Sequence, residues 1–227
     1  MPFRLGRGYF YNCSMKALVI GATGAVGKDL VAQLLADPAF ETVTVFVRRP
    51  VSIASPKLTV HVVDFDQPAQ WRRWLVGDVL FSCLGTTIRA AGSREAQWKV
   101  DYTYQYEAAR AALAGGCPTL VLVSSIGADP GSRAFYTRMK GQLDADVQAL
   151  GFPRLFILRP PSLIREGSDR FGEKAGVAVL KVLNALGILR SMRPMPTAVV
   201  AAAMVALTKG APSGTRILTA QEILTAL

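Results

Sequence analysis

Histidine occurs once in this chain, at His61, and cysteine three times, at Cys13, Cys83 and Cys117. A single imidazole inside an apolar strand segment excludes a histidine-based nucleophilic triad and a histidine-rich metal site, and leaves His61 a structural residue. The cysteines have no metal-ligand spacing, and no metal site is expected. Their odd number suits a reducing compartment, and on that ground the chain is expected in the cytoplasm. Long apolar runs are missing too. Gly176–Leu189 is interrupted by Lys181 and Asn184, and Met195–Leu207 is alanine-rich and short. Both read as buried helices, so no transmembrane segment is expected. No arginine-rich block or basic patch interleaved with aromatics occurs, so nucleic acid is not an expected partner. Repeats and low-complexity linkers are also absent.

What is present is apolar and basic. Half of the 227 residues are hydrophobic (51%), and the mean hydropathy is +0.29. That supplies one sizeable core, so residues 15–227 are expected to form a single domain. The net charge of +10 is uneven. Residues 1–153 hold 16 basic and 12 acidic side chains, whereas residues 154–227 hold 10 and 4. A basic C-terminal third suits an anionic substrate, an acidic partner or a membrane surface; a plain solvated face fits it equally well. Residues 1–14, MPFRLGRGYFYNCS, fit neither strand nor helix and lack the long apolar segment of a signal peptide. Met15 makes a natural start, so these residues are expected to be a poorly ordered extension outside the fold.

The densest information lies in MKALVIGATGAVGKDLVAQLLA, Met15 to Ala36. It reads as an apolar strand, a loop with Gly21, Gly24 and Gly27, and a helix with Val26, Leu30, Leu34 and Leu35 at helical spacing. A strand feeding a glycine turn at a helix N-terminus makes a site for a dinucleotide pyrophosphate. Gly21 takes the tight turn, Gly24 brings the backbone close to phosphate, and Gly27 allows close helix packing. The compact Ala22, Thr23, Ala25 and Val26 keep the loop tight. A glycine-rich turn without a ligand is the alternative reading.

Further strands are expected at 42–47, 58–65, 78–85, 119–125 and 154–160, with a last short one near 215–218. Helices are expected near 69–75, 93–114, 134–150, 174–186 and 197–207. Continuously apolar strands alternating with helices indicate a Rossmann-type, doubly wound α/β fold with a parallel sheet covered on both faces. Its ligand belongs at the carboxyl ends of the strands. The stretch 160–215 is expected to form a small substrate-covering lobe.

Tyr136 and Lys140 lie four residues apart on one helical face, just after a strand ending in Ser124-Ser125. A lysine ammonium beside a phenol favours phenolate, which makes tyrosine a usable acid or base toward a carbonyl or alcohol. A serine hydroxyl at the strand end can hold the reacting oxygen. The same spacing also fits an ordinary amphipathic surface helix. Tyr102, Tyr104 and Tyr106 alternate along the preceding helix, so they cannot all face one pocket.

With the glycine loop, SCLGTT (Ser82–Thr87), VSSIGAD (Val123–Asp129) and Tyr-x-x-x-Lys, the chain resembles the short-chain dehydrogenase/reductase superfamily. It is most similar to the atypical NAD(P)H-binding branch, and within that to Tat-interacting-protein-2-type oxidoreductases. The similarity covers about residues 16–225 and weakens after 165. The resemblance implies a catalytic trio of Ser125, Tyr136 and Lys140, with Ser124 as the near alternative to Ser125. It further implies that Asp64 and Phe65 edge the adenine, and that Cys83, Leu84, Gly85 and Thr86 line the ribose and nicotinamide. Pro160, Pro161 and Ser162 would border the nicotinamide. Many members carry an asparagine on the helix after strand four; here Val100-Asp101 stands there.

Strand two ends in Arg48-Arg49 with no acid. NAD enzymes place a carboxylate there for the ribose 2′-hydroxyl, whereas guanidinium suits a 2′-phosphate. NADP(H) is therefore expected over NAD(H), although two arginines on a solvated loop would read the same. The expected function is an NADPH-dependent oxidoreductase passing hydride to a small carbonyl-type substrate. An NADPH-binding sensor with little turnover is the alternative. Substrate identity and oligomeric state are left open by the sequence.

Overall fold

The first strand, β1 (Met15–Ile20), is buried continuously from Ala17 because it lies in the middle of a sheet covered on both faces. The structure is a computed structural model that describes residues 14–164, 194–210 and 212–227. β1 is joined by β2 (Phe40–Val47), β3 (Leu58–Val62), β4 (Val79–Ser82), β5 (Thr119–Val123), β6 (Arg154–Leu158) and β9 (Gly214–Leu218). They form one seven-stranded sheet in the order β3-β2-β1-β4-β5-β6-β9, and every pairing is parallel. This is the expected doubly wound fold, and the short last strand takes its place at the edge beside β6. A second, two-stranded ladder pairs β7 (Leu163–Ile164) with β8 (Met195–Pro196).

Alternation along β1 separates two cores. Ala17 and Val19 face α1 (Ala25–Ala36) and α7 (Thr197–Gly210), where Leu30 and Leu34 meet Val200, Met204 and Leu207. Leu18 and Ile20 face the opposite layer, made by α2 (Pro68–Trp71), α5 (Tyr104–Ala114) and α6 (Phe135–Ala149). Trp71, Ala108, Ala112, Leu143 and Val147 fill that side. Helix α7, read from the sequence as part of the substrate-covering stretch, thus packs along α1 over the sheet. The helix expected at 174–186 and residues 1–13 of the expected extension at 1–14 lie outside the described residues. His61 is sandwiched between Phe46 at 5.4 Å and Trp74 at 4.3 Å, and burial lowers its pKa.

Two differences from the sequence reading bear on the site. Strands expected to end at 65, 85, 125 and 160 end at Val62, Ser82, Val123 and Leu158. The residues released form loops at the carboxyl rim, where such sheets take ligands. The helix expected at 93–114 is divided. Ser93 caps α4 (Arg94–Trp98) by accepting from the Ala96 N–H, a π-helical turn spans Lys99–Thr103, and α5 follows. A short α3 (Ile88–Ala91) precedes it, and α8 (Ala220–Thr225) ends the chain behind a Thr219–Glu222 capping box.

The order β3-β2-β1-β4 reverses winding between β1 and β4, so the crevice opens above Ile20 and Ser82. There a Cβ on Gly27 would stand 2.0 Å from the Gly21 carbonyl oxygen, which leaves α1 no room for a larger residue. Gly27→Ala is expected to destabilise the fold by about 1–3 kcal/mol, as overpacked sites do. A lowered urea midpoint with an unchanged m value would show it.

Candidate functional site

Gly21 adopts φ +82°, and a Cβ there would fall 2.5 Å from the Cys83 carbonyl carbon. Only glycine satisfies both the left-handed backbone and that contact. The Gly24 N–H donates to the Gly21 carbonyl at 2.9 Å, closing the turn. Gly24 then starts α1 with no side-chain cap and no acidic residue in the first turn. The first turn therefore brings no side chain of its own to neutralise the positive end of the helix dipole, which favours an anion. Val26 is buried in the core, Thr23 is exposed and Ala25 half-buried, so the loop presents backbone, a hydroxyl and a methyl.

On the β2 side of this cradle, Arg48 and Arg49 follow Val47 and are exposed. After β3, the Asp64 carboxylate accepts from the Asp66 N–H at 2.9 Å, and its carbonyl accepts from the Trp71 indole at 2.9 Å. Phe65 is buried, with Trp71 at its edge and Tyr104 stacked on it at 5.4 Å. After β4, the Cys83 sulfur lies 3.9 Å from Met204, and desolvation pushes its thiol up to about 12, against the pull of Lys140. Gly85 is exposed, and Leu84 and Thr86 are half-buried.

Across the crevice, Lys140 is 2% exposed and donates to the Val123 carbonyl at 3.2 Å, at the end of β5. Its charge reaches Cys83, Asp101 and Asp144. Tyr136 stands one turn earlier on α6 and is 40% exposed. The two serines differ. Ser124 is buried and its hydroxyl has no hydrogen-bond partner among the described residues, whereas the half-buried Ser125 donates to the Ile126 carbonyl at 3.2 Å. Pro160 is buried and accepts from the Ile126 N–H, while Ser162 is exposed and accepts from the Met195 N–H. The structure thus gathers the glycine loop, the Cys83–Thr86 loop and the Lys140 ammonium at one rim.

Sequence reasoning named Asp101 only as a departure from the family pattern, and gave no place to Gln97, Asp144, Gly141 or Lys28. Asp101, only 1% exposed, accepts from the Thr86 N–H at 2.8 Å. Gln97 donates to the Thr86 carbonyl at 3.0 Å, so the π-turn region grips that loop residue at both ends. Burial pushes the Asp101 carboxyl up to about 6, against the lowering pull of Lys140 and the Thr86 N–H. Asp144 is equally buried and pairs with Arg159 at 2.9 Å; burial raises its pKa, opposed by the charges of Arg159 and Lys140. Gly141 carries the loop across α6, since a Cβ there would meet the Asp129 carbonyl carbon at 2.2 Å. A glycine inside a helix is the signal that points to it. Lys28 lies on the first turn of α1 beside Thr23.

Among known proteins, residues 21–209 match the family model described as NAD(P)H-binding. The mitochondrial protein FMP52-1 of Scheffersomyces stipitis is 40% identical over 177 residues, covering 75% of this chain and 77% of that one. Mitochondrial FMP52 of Saccharomyces cerevisiae is 38% identical over 159 residues, 68% of each. Among solved structures, the Bordetella bronchiseptica enzyme WbmG in complex with NAD superimposes with a TM-score of 0.68 at 12% identity. That match covers 93% of this chain and 74% of that one, and shows the fold. The relatives named mitochondrial overturn the cytoplasmic placement read from the cysteines. Unpaired thiols point to a reducing environment without choosing among such compartments.

The buried carboxyl yields a pH test. The folded chain holds the Asp101 proton up to about pH 6, while the unfolded chain releases it near the ordinary carboxyl value of 3.8. Between those values the fold binds more protons, so this group makes stability fall as pH rises. The full effect above pH 6 is roughly 3 kcal/mol at 1.36 kcal/mol per unit. Asp101→Asn is expected to match the parent near pH 4 and exceed it at pH 7 in urea unfolding. A constant difference across that window would contradict the assignment.

Proposed function

This chain belongs to the NAD(P)H-binding family as an atypical short-chain-dehydrogenase-like protein, and on that premise we propose that it is an NADPH-dependent oxidoreductase acting on a small carbonyl-type acceptor. The observation that carries the reading is the buried Lys140 ammonium at the end of β5, with Tyr136 one turn before it. A desolvated ammonium is costly unless it serves structure or chemistry, and here it stands at the rim where the glycine cradle opens.

The residues present fit the nucleotide. The loop Gly21–Gly27, with Thr23, Ala25 and Val26 between the glycines, receives the pyrophosphate on backbone N–H groups at the start of α1. Arg48 and Arg49 take the 2′-phosphate, and Asp64 and Phe65 bound the adenine. Cys83, Leu84, Gly85, Thr86, Ser124, Pro160 and Ser162 surround the nicotinamide half. When bound, NADPH supplies the hydride. The Tyr136 hydroxyl gives its proton to the oxygen of the acceptor, Ser125 hydrogen-bonds that oxygen, and the Lys140 charge stabilises the tyrosinate left behind. The names of the relatives support a mitochondrial location.

Asp101 favours a second reading, an NADPH-binding sensor with little turnover, because a carboxylate stands where many members carry an amide. The two separate in one experiment. Tyr136→Phe is expected to lower kcat by about 10²–10⁴-fold on a panel of small carbonyl compounds, with NADPH affinity nearly unchanged. Equal turnover in parent and variant overturns the mechanism, and tight NADPH binding without turnover in the parent favours the sensor.

Cofactor choice has its own test. Titration calorimetry should give a lower Kd for NADPH than for NADH, and Arg48→Ala should raise the NADPH value alone. Equal affinities in the parent contradict a 2′-phosphate site.

A further inference from the structure

The side chains of an α-helix lean toward its N-terminus. Lys28 occupies the first full turn of α1, with its N–H donating to the Gly24 carbonyl at 3.2 Å. Its side chain therefore reaches back toward the glycine loop instead of out along the helix. It borders a cleft of about 220 Å³ with Thr23 of that loop and Ser52 of the segment after β2. Those three residues and Ile53 are exposed and form the rim, while the buried Val31 and Val45 and the half-buried Leu58 form the floor. Among the described residues, the lining holds one cation and no carboxylate.

Arg48 and Arg49 leave β2 two residues before Val51, which also lines the cleft. A cation on α1 thus lines the cleft, and two guanidinium groups stand close to it along the chain, on a different element. We infer that Lys28 is a specificity-determining residue, whose ammonium, with the Thr23 and Ser52 hydroxyls, receives a phosphate monoester on the adenosine ribose. The assignment deepens the NADP(H) reading above and rests on it.

The chemistry of the rim suits that group. A phosphate monoester carries nearly two negative charges and several acceptor oxygens, which an ammonium and two hydroxyls can satisfy together. A ribose 2′-hydroxyl offers no charge for Lys28 to meet. Arginine and lysine also divide the work: the guanidinium forks fix orientation and the ammonium adds a compact point charge.

Titration calorimetry on the full chain with NADPH, NADH and 2′,5′-ADP tests this. Lys28→Ala is expected to raise the Kd for NADPH and for 2′,5′-ADP by about tenfold, as loss of a charge-assisted contact does. The NADH value should stay unchanged, and Lys28→Arg should recover most of the loss. Lys28 is exposed, so the thermal midpoint of the variant should equal that of the parent. A parallel rise for NADPH and NADH would mean that Lys28 serves the shared pyrophosphate, and no change in either would mean that it serves neither; both overturn the assignment. A parent that binds NADPH and NADH equally overturns the NADP(H) reading itself, and that result is visible before any variant is made.

Discussion

Backbone meets backbone where β1 ends, and the rest of the site is arranged around that contact. Gly21 lies against the carbonyl of Cys83, and Gly27 lies against the carbonyl of Gly21. Strand, loop and helix are thereby locked at separations that a single methyl group would prevent. Because β1 and β4 are direct neighbours, the Gly21 turn and the Cys83–Thr86 loop share one crevice. The start of α1 and the far side of the crevice are brought together by this approach, before any side chain acts.

The second organising feature is electrostatic. Lys140, Asp101 and Asp144 are all nearly inaccessible, and Arg159 closes the group from the end of β6. Such charges are tolerated in an interior only when they offset one another and are hydrogen-bonded. Each partner also ties down a rim loop: Asp101 the backbone at Thr86, Lys140 the end of β5, and Arg159 the start of the chain segment after β6. Burial and loop placement are therefore one arrangement seen twice. The charge balance that makes the interior acceptable also holds still the loops that a ligand would touch.

Much of this was legible in the sequence for a simple reason. The glycine spacing and the apolar strands are local patterns, and their periods translate directly into a turn and a parallel sheet. The missing parts were not local. Asp101 turns inward because a π-helical turn adds a residue to one helical turn, and a 3.6-residue period does not foresee that. Lys28 looks like any solvated lysine until Ser52, on a different element, stands across from it. Asp144 gains its burial from Arg159, fifteen positions away on another element. Thr197–Gly210 carries no signal of where it docks, since its alanine-rich surface would suit many partners.

The π turn at Lys99–Thr103 makes helix length, as much as residue identity, a determinant of the crevice. Within one continuous helix, α4 below it and α5 above it follow two different angular registers. Across that join Trp98 tilts against Tyr102 at 4.8 Å, and Tyr102 stacks on Tyr106 at 6.1 Å. Removing one residue would let the helix relax to a uniform pitch and swing everything before the join by about a hundred degrees. Gln97 would leave the Thr86 carbonyl, and the aromatic stack would come apart, with no functional group altered. The fold thus encodes part of its chemistry as a count, which substitution leaves intact and deletion erases.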